Sequence, residues 1–224
     1  MPSIRTALFD LDGTLLDTAP DLADALNAVL IERHLPALPF EKIRGIVSHG
    51  AMALIRLGFS LDESQPDFQP LRLRLLTLYR DNIACKTRPF PGMDELLDQL
   101  EQRGYTWGVV TNKPGWLTEP LLKAFGLYDR AACVVSGDTL ETRKPHPAPL
   151  LHACELTGCR PEHCVYVGDA ERDMEAGRNA GMRTLLALFG YFRAHERPQD
   201  WPADARIRHP AELIEWLDQV NGRE

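Results

Sequence analysis

No stretch of this sequence approaches the roughly 18 consecutive apolar residues that a membrane-spanning helix needs, which excludes a helical span of the bilayer. Nor is there a run of Lys or Arg that could track a phosphate backbone. With 25 basic residues against 32 acidic ones and a formal net charge of -7, nucleic acid is not an expected partner. The five cysteines, Cys85, Cys133, Cys154, Cys159 and Cys164, are odd in number and contain no pair at the C-x-x-C spacing. They read as free thiols, and the evenly spaced set at 154, 159 and 164 reads so rather than as a metal site. Internal repeats and low-complexity segments are absent. The opening residues, MPSIRTALFD, carry none of the pattern of a secretion signal, so the expected location is cytoplasmic.

What is present suits a globular chain. Its 224 residues are 44% hydrophobic and 25% charged, enough to bury a sizeable core. Short continuous apolar runs recur at 4–9, 106–111, 132–137, 164–168 and 183–189. Continuity rather than alternation marks strands covered on both faces. Helical spacing fills 92–104, 116–126, 147–158 and 171–181, several of these stretches ending in glycine. Strands alternating with helices predict an α/β fold, a Rossmann-like parallel sheet with ligands at the carboxyl ends of its strands. One region interrupts this rhythm. Residues 17–87 contain helical runs at 21–34, 40–59 and 68–84 and no convincing strand, which predicts a helical cap inserted into a core made of 1–16 and 88–224. Two short crossings, 15–20 and 87–92, would let that module hinge over the strand ends.

Four short signals fall at or near successive strand ends. FDLDGT carries Asp10 and Asp12, with Gly13 and Thr14 after them; VVTNK carries Thr111; TRKPHP carries Lys144; VGDAERD carries Asp169 and Asp173. Carboxylates this crowded repel one another when ionised and call for a cation. A Mg²⁺ ion takes hard oxygen ligands, which Asp10, Asp169 and the backbone carbonyl of Asp12 can supply, with Asp173 holding or orienting them. The chemistry that uses such a set is phosphoryl transfer. Asp10 is the expected nucleophile, forming an aspartyl phosphate, and Asp12 the proton donor and acceptor. Thr111 and Lys144 are expected on the phosphate oxygens, and Gly13 leaves backbone N–H groups open to them.

These motifs closely resemble the haloacid dehalogenase-like superfamily, whose phosphatases carry D-x-D-G-T, a Thr or Ser after the second core strand, a Lys before Pro, and a G-D-x-x-x-D signature. The resemblance covers the whole chain and implies the inserted helical cap, Mg²⁺ as cofactor and a phosphomonoester as substrate. Asp12 argues for phosphate chemistry, since the dehalogenases lack it. FDLDGTLLDTAPDL, VVTNKP, KPHPAPLL and VGDAERDMEAGRNAGM are most similar to the phosphoglycolate phosphatase group. The C-terminal stretch FGYFRAHERPQDWPADARIRHPAELIEWL is similar to a bacterial branch that includes N-acetylmuramic acid 6-phosphate phosphatases. The implied substrate is thus a small carboxylated phosphometabolite, a two-carbon acid or an amino sugar acid. The same residues would serve a phosphosugar mutase, which returns the phosphate to the sugar; release of inorganic phosphate separates the two. A silent metabolite-binding protein on this fold would be expected to have lost the nucleophile or the Lys.

In this family the cap loop facing the active site sorts substrates, and here that loop is 44–54. Arg44, Ser48 and His49 are therefore candidates for a substrate carboxylate or hydroxyl, with Thr14 and Asn112 on the core side. Two of them have a structural alternative: Ser48 as a helix cap, Arg44 as the partner of a surface acid such as Glu41. Lys113 reads as a solvated surface lysine, and the four tryptophans as packing residues. The protein is expected to be a monomer or homodimer.

Overall fold

The computed structural model describes residues 2–222. The chain opens with β1 (Thr6–Phe9), a fully buried TALF, and then a two-residue strand, β2 (Leu16–Asp17). Four helices follow: α1 (Ala19–Glu32), α2 (Phe40–Arg44), α3 (Gly50–Phe59) and α4 (Phe68–Asp81). In α1 the face carrying Leu22, Ala25, Leu26, Val29 and Leu30 is buried, as its three- and four-residue spacing requires. The chain returns through β3 (Arg88–Pro89), which pairs antiparallel with β2. The two crossings thus form a small ladder of their own. It is held by Asp21, whose buried carboxylate accepts hydrogen bonds from Lys86 N (2.8 Å), Thr87 N (2.9 Å) and Thr87 Oγ1 (2.7 Å).

From there strands and helices alternate: α5 (Met93–Gln102), β4 (Thr106–Val110), α6 (Gly115–Ala124), β5 (Val134–Val135), α7 (Ala148–Thr157), β6 (Cys164–Gly168), α8 (Glu171–Asn179), β7 (Arg183–Ala187), β8 (Ala205–Ile207) and α9 (Glu212–Asn221). The main sheet has six strands in the order β5-β4-β1-β6-β7-β8, all parallel. This is the α/β architecture read from the sequence. β1 lies at its centre, flanked by β4 and β6, so the carboxyl ends of these three strands share one crevice.

The differences from expectation are local. The helical run at 40–59 is broken into α2, a 3₁₀ turn over Val47–His49, and α3. Gly45 lies where the backbone passes so close to Phe192 O that a Cβ would stand 2.5 Å from it. That contact fixes the break and turns Ser48 and His49 toward the sheet. β8 and α9 escaped the sequence reading, as did the β2–β3 ladder. No helix among the described residues is long and apolar enough to cross a membrane.

Candidate active site

Asp10 is the first residue beyond β1, its amide still donating to Val167 O of β6 (2.9 Å). Asp169 stands just beyond β6, and Asp173 sits in the first turn of α8, where it accepts a hydrogen bond from Ala170 N (3.0 Å). All three carboxylates are buried, and one oxygen from each lies within 4.8 Å of the others. Lys144, from the loop between β5 and α7, reaches into the cluster. Its ammonium is 3.0 Å from Asp10 Oδ1 and 2.8 Å from Asp173 Oδ1, and it donates to Tyr166 Oη (2.6 Å) and Val110 O (3.0 Å).

Lys144 and the nearby Arg172 are two cations against three acids. Burial alone would raise Asp10, but Lys144 and Arg172 outweigh it and hold the carboxyl below its ordinary value. Asp173 is raised, because burial outweighs the pull of Lys144 and Asp10 adds to it. Asp169 is pushed up to about 8 by burial and by the charges of Asp173 and Asp10. Its Oδ1 is buried without a hydrogen-bond partner. An all-oxygen, buried and electron-rich donor set with an orphaned acceptor is one that a hard divalent cation fits.

Asp12 points into a cavity of ≈ 300 Å³ beside this cluster, which Asp10, Thr111 and Asn112 also line. Thr18 Oγ1 donates to Asp12 Oδ1 (2.5 Å), and Lys113 Nζ donates to both carboxylate oxygens (2.8 and 3.0 Å). The expectation of a solvated Lys113 is corrected here. Only 8% of the residue is exposed, and its ammonium sits 4.5 Å over the ring of Tyr79 from α4. Burial pulls Lys113 down, yet the Asp12 carboxylate outweighs it and the pKa stands above the ordinary lysine value.

Thr111 is buried at the end of β4, and its Oγ1 accepts from Lys113 N (3.2 Å). Asn112 bonds the backbone of Lys144 twice, through its amide to Lys144 O (2.9 Å) and from Lys144 N to its carbonyl (3.1 Å). It thereby fixes the two loops that carry Thr111 and Lys144. Gly13, at φ +84°, passes so near the cluster that a Cβ would stand 2.2 Å from Asp169 Oδ2. Thr14 is fully buried with its Oγ1 unpartnered, and it does not line the cavity.

Of the three cap-loop candidates, Ser48 donates to Asp169 Oδ2 (2.6 Å) rather than capping a helix. His49 lines the cavity and pairs with Glu196 Oε1 (2.9 Å). Arg44 is not brought to the cavity. Its guanidinium donates to Gly190 O (3.2 Å) and stacks 4.8 Å over the ring of Tyr191, away from Glu41. Trp116 likewise departs from a packing role, being 44% exposed.

The sequence reading passed over several residues of this site. Arg172 donates to Ser48 O (2.6 Å) and lines the cavity. Tyr191 donates its N–H to Asp169 Oδ2 (2.9 Å) and its hydroxyl to Asp17 Oδ1 (2.6 Å). Arg172 lies between Asp169 and Asp173 in GDAERD, a signal available in the sequence, whereas Tyr191 carries no such mark.

A covalent-nucleophile candidate, a buried lysine and a cation-ready acid cluster at the switch point of a parallel sheet define a hydrolase site. Residues 7–187 match the family described as haloacid dehalogenase-like hydrolase, and the chain belongs to that family as a phosphatase. It is 42% identical to an N-acetylmuramic acid 6-phosphate phosphatase of Pseudomonas putida over 217 residues, covering 97% of each chain. It is also 42% identical to a phosphoglycolate phosphatase of Xanthomonas campestris pv. campestris, covering 94% of this chain and 95% of that protein. The crystal structure of a predicted phosphoglycolate phosphatase from Haemophilus somnus superposes with a TM-score of 0.85 at 28% identity, covering 96% of this chain and 99% of that one.

Proposed function

We propose that the protein is a Mg²⁺-dependent phosphomonoesterase that acts on a small carboxylated phosphometabolite through a phosphorylated Asp10. The observation that carries this reading is the triad of buried carboxylates within 4.8 Å, with Lys144 wedged between Asp10 and Asp173. Asp10, Asp169, Asp173 and the backbone carbonyl of Asp12 would hold the ion. When bound, it would offset the charge of the carboxylates and of the phosphate dianion.

Asp10, kept ionised by Lys144, attacks phosphorus while the ester oxygen departs with a proton from Asp12. Asp12 then takes a proton from the water that hydrolyses the phosphoaspartate, which releases inorganic phosphate and restores Asp10. Thr111, Lys144 and the backbone around Gly13 hold the phosphate oxygens through both steps, with Asn112 fixing the loops. Residues 17–87 serve as the cap, placing Ser48 and His49 over the strand ends and excluding water.

The named relatives point to two substrates, 2-phosphoglycolate and N-acetylmuramic acid 6-phosphate. Phosphate release from either is expected to stop on treatment with EDTA and to return with Mg²⁺. Mg²⁺ should also raise the melting temperature, by relieving repulsion among Asp10, Asp169 and Asp173. Turnover and melting both indifferent to chelation would remove the metal from the account.

A further inference from the structure

Helix α4 presents Arg72, Leu76 and Tyr79 to the cavity at steps of four and three residues, one face of the helix. Tyr79 marks the deep end, its ring 4.5 Å from the Lys113 ammonium that holds Asp12. Arg72 lies seven residues back, ~10 Å along the axis at the α-helical rise. Its side chain leans further toward the helix N-terminus, where NH1 lies 3.4 Å from Gln69 Oε1. The guanidinium therefore stands at the far end of the cavity from the reacting acids. Between the two ends the walls include Leu22, Met52, Leu76 and Leu117.

The other cations of the cavity stand elsewhere or are held by neighbours. Lys113 is bound to Asp12 and His49 to Glu196, while Arg172, whose Nε is also without a hydrogen-bond partner among the described residues, donates to Ser48 O beside Asp169. Arg143 is exposed. Arg72 is half-buried, and among the described residues its Nε has no hydrogen-bond partner although it is shielded from solvent. A guanidinium that lines an apolar-walled cavity, with NH1 on Gln69 and Nε still unpartnered, has a donor left for a carboxylate.

We propose that Arg72 reads the carboxylate of the substrate, and that its distance from the strand ends selects an acid whose carboxylate lies across a sugar-sized body from the phosphate. This rests on the phosphatase reading above. In a two-carbon acid the carboxylate is borne on the carbon next to the ester oxygen, so with its phosphate at Asp10 it stops short of Arg72. In a 6-phosphorylated amino sugar with a lactyl arm on the opposite edge of the ring, the two anions stand apart, and methyl groups meet the apolar walls. A cavity of ≈ 300 Å³ reaches the size of a drug-like ligand, far beyond the needs of a two-carbon acid.

The test compares wild type, Arg72→Gln and Arg72→Lys on four esters with Mg²⁺. These are N-acetylmuramic acid 6-phosphate, N-acetylglucosamine 6-phosphate (which lacks the lactyl arm), 2-phosphoglycolate and p-nitrophenyl phosphate. Arg72→Gln is expected to lower kcat/KM for the muramic ester by about 10- to 100-fold, mostly through KM, as loss of a charge-assisted ground-state contact does. Arg72→Lys should recover part of it, and the other three esters should change by less than about twofold. Equal losses on both sugars, or a loss confined to 2-phosphoglycolate, would overturn the proposal. Turnover of p-nitrophenyl phosphate by wild type reports on the phosphatase reading separately; if wild type hydrolyses none of the four, both fall.

Discussion

Charge at this site is settled residue by residue, through pairs that only the fold can assemble. Lys113 comes from the loop after β4, Asp12 from the loop after β1 and Tyr79 from α4; Lys113 and Tyr79 are buried, Asp12 is half-buried, and the three meet in one tight contact. Losing the cation leaves a carboxylate aimed at the cavity without its partner. Lys113→Gln is expected to lower kcat about 10- to 100-fold with the fold retained, since a misplaced proton-transfer group costs at least that much. Unchanged kcat on either candidate substrate would show that Lys113 only fills space. At this scale the convergence of Asp10, Asp12, Thr111, Lys144, Asp169 and Asp173 on one crevice was legible because chemistry ties these residue types to strand ends. Lys113 was not, because a lysine in a polar loop reads as solvated until a distant helix covers it. Tyr191 was hidden for a similar reason: its contacts with Asp17 and Asp169 join segments far apart in sequence.

Among the elements, the crossings between β2 and β3 matter most, because they set how the helices of 17–87 meet the sheet. Asp21 organises them with three accepted hydrogen bonds while only 3% exposed. Asp21→Ala would strand two backbone N–H groups and the Thr87 hydroxyl, a loss of roughly 2–4 kcal/mol. A fall in the midpoint of urea unfolding is the expected result; an unchanged midpoint would mean the ladder stands without Asp21. Strands β1, β4, β6 and β7 were legible as continuous apolar runs. β8 was not, since Ala205–Ile207 contains an arginine and no run. The break in 40–59 was legible only as the loop that the family resemblance implied at 44–54; its place at Gly45 was not, because Gly45 is required by Phe192 rather than by its own neighbours. That break is what delivers Ser48 to Asp169.

For the molecule as a whole, two bodies of chain meet around one cluster of acids. Hydrophobic contacts run without interruption from the sheet into α1, α3 and α4, so the helices and the sheet share one core. Ser48 from the helical side and Tyr191 from the sheet side both bond Asp169 Oδ2, while Arg172 grips Ser48 O. The overall layout was legible from the alternation of strands and helices and from the long strand-free interval. The grip between the two parts was not, being made of side chains with no sequence signature.

The account turns on Asp10 as the nucleophile. Its most direct test is the rate of inorganic phosphate release with Mg²⁺ by wild type and by Asp10→Asn, with circular dichroism to show that both are folded. Wild type is expected to release phosphate and the variant to fall below about one-hundredth of that rate, as loss of a covalent nucleophile requires. A folded Asp10→Asn that keeps more than this fraction would contradict the central claim.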